Sequence, residues 1–164
     1  MSKIRYLVMD VDGTLTDGKI YMGANGELMK AFNIKDGAGI HDILIPNGIT
    51  PVIITGRKSE IVKMRCKELG INEVYQGVSK KAEQLSDFLD KKNVGIDCVA
   101  YIGDDINDLP CVNYVKNGGG LIGCPEDAVE QVKQNSDYVS SKKGGDGAVR
   151  EFIEYILKEK TNIS

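Results

Sequence analysis

Asp10 and Asp12 stand two residues apart in Asp10-Val-Asp-Gly-Thr14, directly after the apolar run from Ile4 to Met9. A buried strand ending in two such acids points both carboxylates the same way at the sheet's end, because strand side chains alternate with period two. Two acids this close, with no Lys or Arg beside them, repel and favour a shared proton or a cation between them. Mg2+ suits them, since it takes oxygen ligands, uses few protein carboxylates and completes its shell with water and substrate phosphate. One acid can then attack while its neighbour handles a proton. A lone Asp-Gly after a strand is more often a surface turn, so the chemistry depends on what else the chain brings to the same place.

The elements that position these acids alternate regularly. Lys19 to Met22 and Glu27 to Phe32 flank Gly23-Ala-Asn25-Gly26, and Asn-Gly between extended runs predicts a hairpin, placed as a small flap beside the carboxylates. Asn33 to Gly37 leads into a short helix with Ile40, Ile43 and Leu44, stopped at Pro46, which Asp36 could cap. Thr50 to Thr55 reads as a strand breaking at Gly56, followed by a helix that Ser59 can cap. Glu73 to Gln76 reads as strand before a helix carrying Ala82, Leu85, Phe88 and Leu89, and Cys98 to Ile102 as strand before Gly103-Asp104-Asp105. Gly118 to Ile122 and Asp137 to Ser140 read as short strands around a helix at Glu126 to Lys133. After the loop Gly144-Gly-Asp-Gly147, a stripe of Ala148, Val149, Phe152, Ile153, Ile156 and Leu157 marks a last helix. Strands alternating with helices predict an α/β fold with a doubly wound parallel sheet covered on both faces.

At 164 residues the chain suits one domain, 1–164, with a sizeable core. Hydrophobic content of 41% and a formal charge of −3 describe an ordinary globule, and scattered Lys and Arg with ten aromatic residues exclude a nucleic-acid partner. Cys66, Cys98, Cys111 and Cys124 form no Cys-x-x-Cys pair, and His41 is the single histidine, so a zinc site is not expected and the thiols read as buried in a reducing compartment. No run approaches membrane-spanning length and no cleavage-type leader is visible, so the expectation is a cytoplasmic protein with no membrane contact.

In a parallel α/β sheet the ligand site lies outside the carboxyl ends of the strands. Four of the strands end there in Asp10 and Asp12, in Thr55, in Ser79-Lys80-Lys81, and in Asp104 and Asp105. As chemistry the set fits phosphoryl transfer through an aspartyl-phosphate, which splits a slow displacement into two easier steps. Asp10 would attack phosphorus, and Asp12 would protonate the leaving alcohol and later deprotonate a water. Thr55 would donate to a phosphoryl oxygen, Lys81 would offset its charge, and Asp10, the backbone carbonyl of Asp12 and Asp104 would hold Mg2+.

At these residues the chain resembles the haloacid dehalogenase superfamily of aspartate-nucleophile phosphatases. Asp10-Val-Asp12-Gly-Thr14-Leu15 matches its first motif, Thr55 its second, Lys81 its third and Gly103-Asp104-Asp105-Ile-Asn-Asp108 its fourth. The spacing of the resemblance from Gln76-Gly77 favours Lys81 over Lys80. With only the hairpin between the first motif and the next helix, the chain resembles a member without a cap domain, and such members often assemble as homotetramers in which neighbours cover the open site. A narrower resemblance, to the family acting on octulosonate 8-phosphate, runs through Lys30-Ala-Phe-Asn-Ile-Lys-Asp-Gly-Ala-Gly-Ile40, Ile54-Thr-Gly-Arg57, Arg65-Cys66, Tyr75-Gln-Gly77 and Gly144 to Glu151. It implies a small phosphorylated 2-keto-3-deoxy sugar acid as substrate. It also implies substrate contacts from Asp12, Asn33, Lys35, Asp36, Gly37, His41, Gly56, Arg57, Arg65 and Lys81, some of them across a subunit interface.

Two further readings stand beside this one. The capless fold also serves nine-carbon acid 9-phosphates, N-acylneuraminate included; Arg57, where that branch is associated with Glu, leans toward the eight-carbon acid. Receiver domains of signalling proteins also join paired acids, a Thr and a Lys on a parallel sheet, but there the phospho-accepting Asp comes later in the chain.

Overall fold

Tyr6–Met9 forms β1, and each of its residues is buried. The structure, a computed structural model, describes residues 4–161. A two-strand hairpin follows, β2 at Tyr21–Gly23 and β3 at Gly26–Met29, turning at Ala24 and Asn25. Helix α1, Ile34–Ala38, runs on through a wider turn at Gly39–Leu44 and a tight one at Ile45–Asn47. Then come β4 at Thr50–Ile54, α2 at Glu60–Glu68, β5 at Glu73–Tyr75, α3 at Lys81–Lys92, β6 at Val99–Ile102 and α4 at Leu109–Asn117. The chain closes with β7 at Leu121–Cys124, α5 at Glu130–Lys133, β8 at Tyr138–Val139 and α6 at Ala148–Thr161.

The six strands outside the hairpin form one parallel sheet in the order β5-β4-β1-β6-β7-β8. This is the doubly wound α/β architecture that the alternation of elements predicts. Period two in β1 divides its side chains between two cores. Leu7 and Met9 pack with Ile40, Leu44, Val62, Cys66 and the apolar stripe of α6. Tyr6 and Val8 pack on the other face with Leu85, Phe88 and Leu89 of α3 and with Val112 and Val115 of α4. β1 lies inside the sheet, between β4 and β6, so the segment leaving its carboxyl end emerges at the centre of the edge where a ligand would sit.

Several elements are shorter than their sequence runs. Gly118–Gly120 closes α4, with the Gly120 amide donating to the Val115 carbonyl, so β7 starts only at Leu121. The run from Glu126 yields a helix only from Glu130, because Asp127 turns aside to accept from the Gly144 amide. α1 is capped by Asn33, whose side chain accepts from the Lys35 amide, and not by Asp36. Asp36 instead accepts from the Arg150 amide in the first turn of α6, bringing a carboxylate to the positive end of a distant helix. None of the four cysteines is in a disulfide. Among the described residues no helix is long and apolar enough to cross a membrane.

Candidate active site

After Met9 the strand ends and the chain folds into a tight loop in which the amides of Thr14, Leu15 and Thr16 all donate to the Val11 carbonyl. Asp10 and Asp12 therefore do not share a strand's alternation. They line the same cleft but answer to different partners. Asp10 is 4% exposed; its Oδ1 accepts from the Val11 amide at 2.8 Å and lies 3.0 Å from Lys81 Nζ. Asp12 turns to the hairpin side, where Lys30 Nζ lies 2.6 Å from its Oδ1.

The loop closes against the end of β6. Thr14 Oγ1 donates to Asp104 Oδ1 at 2.9 Å, and Gly13 sits so close that a Cβ there would stand 1.9 Å from Asp104 Oδ2, at a φ of +87°. Only glycine meets both conditions. From the other side the Gly144 loop presses on the same backbone, a Cβ at Gly144 falling 1.9 Å from the Gly13 carbonyl oxygen.

Asp108 organises the second half of the site. Its Oδ1 accepts from Lys81 Nζ at 2.8 Å and from the Tyr101 hydroxyl at 2.6 Å, and its Oδ2 accepts from the Asp104 and Asp105 amides at 2.9 and 3.2 Å. One fully buried carboxylate thereby fixes the lysine, the phenol and the loop that carries Asp104. Lys81 is buried, as the first residue of α3; Lys80 is exposed, 3.1 Å from Glu83.

Oxygens of Asp10, Asp104 and Asp108 lie within 4.8 Å of one another. Burial pushes the Asp10 carboxyl up to about 6, helped by the charge of Asp108 and opposed by Lys81. Burial, with the charges of Asp10 and Asp108, pushes Asp104 up to about 8. A buried acid cluster that resists losing its protons accepts a divalent cation in their place, and an all-oxygen donor set suits Mg2+. Asp108 has both oxygens committed to donors, so Asp10 and Asp104 are the side chains left to face such an ion.

The cleft beside this cluster, about 240 Å3, is lined by Asp10, Asp12, Gly18, Thr55, Gly56, Arg57, Asp104, Asp105 and Asn107. Thr55 reaches it from the end of β4, locked by its amide to the Tyr75 carbonyl and by its carbonyl to the Val78 amide. The structure thus brings together Asp10, Asp12, Thr55, Gly56, Arg57, Lys81 and Asp104. It places the other expected contacts apart. Asn33, Asp36, Gly37 and Arg65 line a separate, narrow apolar cavity behind Val11 and Leu15. Two polar atoms of that lining, Asp36 Oδ2 and Arg65 Nε, are buried without a hydrogen-bond partner. His41 is exposed, its Nδ1 2.6 Å from Asp42, and Lys35 is exposed on α1. Within one chain these residues do not line the cleft.

Asp108, Tyr101 and Thr14 escaped the sequence reading of the site. Asp108 stands in the Gly103 to Asp108 stretch, and Tyr101, a phenol inside a buried strand, had to find a polar partner. Lys30 opens the Lys30 to Ile40 stretch, but its pairing with Asp12 gave no local signal, since the two lie on opposite sides of the hairpin.

Against known proteins, residues 67–153 match the family model of haloacid dehalogenase-like hydrolases. A 3-deoxy-D-manno-octulosonate 8-phosphate phosphatase of Salmonella typhi is 47% identical over 154 residues, 94% of this chain and 79% of that one. The Yersinia pestis protein of the same name is 43% identical over 156 residues, 95% of this chain and 81% of that one. Among solved structures, the Moraxella catarrhalis phosphatase in complex with magnesium, phosphate and KDO superposes with a TM-score of 0.90 at 41% identity, covering 98% of this chain and 90% of that one. The cobalt-bound Haemophilus influenzae phosphatase gives 0.90 at 36% identity, with 98% and 91% covered. These relatives are hydrolases and not signalling receivers, and the chain belongs to the 3-deoxy-D-manno-octulosonate 8-phosphate phosphatase family of the haloacid dehalogenase-like hydrolases.

Proposed function

We propose that this chain is a Mg2+-dependent phosphatase that releases phosphate from 3-deoxy-D-manno-octulosonate 8-phosphate. The observation that carries the reading is the placement of Asp10. It is a buried carboxylate with one oxygen held by Lys81 and the Val11 amide, beside Asp104, in the lining of the cleft. The free oxygen of Asp10 attacks phosphorus; the bond from phosphorus to the sugar's oxygen breaks, its electron pair stays on that oxygen, and Asp12 supplies the proton. Asp12 then takes a proton from water, whose oxygen attacks phosphorus and breaks the bond to Asp10, giving inorganic phosphate and regenerating both acids. Thr55 donates to a phosphoryl oxygen and Lys81 offsets charge on the transferring group; Asp10, Asp104 and the Asp12 carbonyl would hold Mg2+, which would supply further charge neutralisation there. Arg57, exposed at the rim, suits the carboxylate of the sugar acid through its two-pronged donor geometry.

One domain of 164 residues carries this activity, in the cytoplasm, as a homotetramer. Support for assembly comes from Met22 and Leu28 of the hairpin, Ile34 of α1 and Met64 of α2, which are 58%, 67%, 81% and 70% exposed. Large apolar side chains this bare mark surfaces that associate. In the assembled protein, Lys35 and His41, with the half-buried Asn33 and Arg65, serve substrate binding from a neighbour's side of the cleft, while Asp36 and Gly37, buried in their own chain, support that surface from beneath. Comparative kinetics test the reading: eight-carbon and nine-carbon keto-acid phosphates, with Mg2+ and with chelator. Metal-dependent release faster from the eight-carbon ester is the expected result; preference for the nine-carbon acid would move the substrate, and no release from any ester would sink the reading.

A further inference from the structure

Lys30, the residue after β3, opens the Lys30 to Ile40 stretch but has been given no role in the site, yet its side chain is 3% exposed and its ammonium lies between two carboxylates. Nζ stands 2.6 Å from Asp12 Oδ1 and 3.0 Å from Glu27 Oε1. Glu27 is gripped in turn by the Ser59 hydroxyl, which donates to its Oε2 at 2.5 Å. Ser59 caps α2 through the Val62 amide and is bracketed by Gln76, whose amide group binds its backbone on both sides. A continuous polar chain thus runs from Asp12 through the hairpin to the start of α2 and the loop after β5.

Resting on the reading of Asp12 as the group that gives and takes the proton, we propose that Lys30 is the positioning residue for Asp12, with Glu27 and Ser59 as its anchor. A carboxylate on a loop rotates freely about its Cβ–Cγ bond, and that rotation spreads the proton over many directions. Clamping Oδ1 fixes the plane of the group and leaves Oδ2 at one bearing over the cleft. An ammonium can do this only if it is itself held. Lys30 is so held, because its second bond goes to a carboxylate that another element restrains. Burial in low dielectric strengthens each of these contacts. The arrangement also ties the hairpin to the chemistry: displacing β3 pulls Lys30, and Lys30 pulls the acid.

Leaving-group dependence separates this role from a merely structural one. An alkoxide departing from a sugar phosphate needs a proton from Asp12, whereas nitrophenolate leaves without one. In full-length protein with Mg2+, Lys30→Met should lower first-turnover cleavage of the octulosonate ester by roughly a hundredfold, as expected when an acid catalyst loses its aim. The first-turnover burst of nitrophenol from p-nitrophenyl phosphate should stay within about threefold of wild type, and Lys30→Arg should restore most of the loss. Glu27→Gln, a milder change, should show a smaller loss with the same contrast between substrates, and keeps the test open should Lys30→Met fail to fold. Equal losses on both substrates, or no loss on either, would overturn the positioning role. A wild-type enzyme that cleaves neither ester would instead overturn the phosphatase reading beneath it.

Discussion

Lys81 Nζ lies 3.0 Å from Asp10 Oδ1, and the two side chains are 3% and 5% exposed. A lysine this deep is held by charge. Burial alone would strip its proton, but the charges of Asp10 and Asp108 and the bonds to both raise its pKa above the ordinary value. It is therefore cationic at neutral pH.

Lys81→Ala should therefore cost twice. Phosphate release should fall by at least about a hundredfold through lost charge stabilisation, and unfolding in urea should reveal a loss of about 3 kcal/mol, because Asp10 and Asp108 remain buried without their cation. Lys80→Ala, on an exposed pair with Glu83, should change neither by more than a small factor. A reversed ranking would shift the role by one residue.

Asp10→Asn keeps the shape of the side chain and removes its power to form a phospho-enzyme. Turnover should vanish while circular dichroism stays that of wild type. Residual activity near the parent level would show that another group attacks phosphorus.

The acid cluster links metal, pH and stability. Asp10 at about 6 and Asp104 at about 8 hold protons more tightly folded than unfolded, where both titrate near 3.8. Their protonated forms stabilise the metal-free fold at low pH, and that contribution is lost as pH rises through about 6 and then about 8. Mg2+ replaces those protons, so at a fixed Mg2+ concentration the stabilisation it brings, read as a rise in Tm, should grow from pH 6 to pH 8, reaching about 2.7 kcal/mol where that concentration is a hundred times the dissociation constant. Thermal scans with Mg2+ and with chelator check this. An increment that shrinks with pH would argue against carboxylate ligation.

Asp36 carries a second pH dependence, independent of metal. Burial pushes its carboxyl up to about 6 from 3.8, against the pull of the Arg150, Gly147 and Val149 amides. The protonated form is favoured by the fold, so its stabilisation is complete below 3.8 and lost as pH climbs through about 6. Asp36→Asn retains an acceptor for α6 without the charge. With Mg2+ saturating, the variant should exceed wild type by up to about 3 kcal/mol at pH 7 and show no advantage at pH 4. Equal curves would mean that the α6 amides fully offset the burial.

The sheet was legible because buried parallel strands write themselves as short apolar runs, and Tyr6–Met9, Thr50–Ile54 and Val99–Ile102 are each followed within two residues by a polar residue of the cleft. Asp10, Thr55 and Asp104 could be read for that reason. The separation of Asp12 from Asp10 could not, because period two stops where the strand stops. Nor could the coupling of Lys30 to Asp12, 18 residues apart, or of Asp36 to Arg150, 114 residues apart. Such pairs are set by how elements pack, and no local pattern announces them. Helix ends were overdrawn for a related reason: Asp127 is spent on the Gly144 amide, a partner that sequence spacing does not reveal.

β1 is hydrogen-bonded on both flanks, and Asp10, the proposed nucleophile, follows its last residue. Amides so placed exchange with deuterium only when the whole molecule opens. Catalysis therefore should not fade ahead of denaturation: as urea rises, the reactive carboxylate keeps its place until the sheet itself lets go, and enzymatic and spectroscopic midpoints coincide.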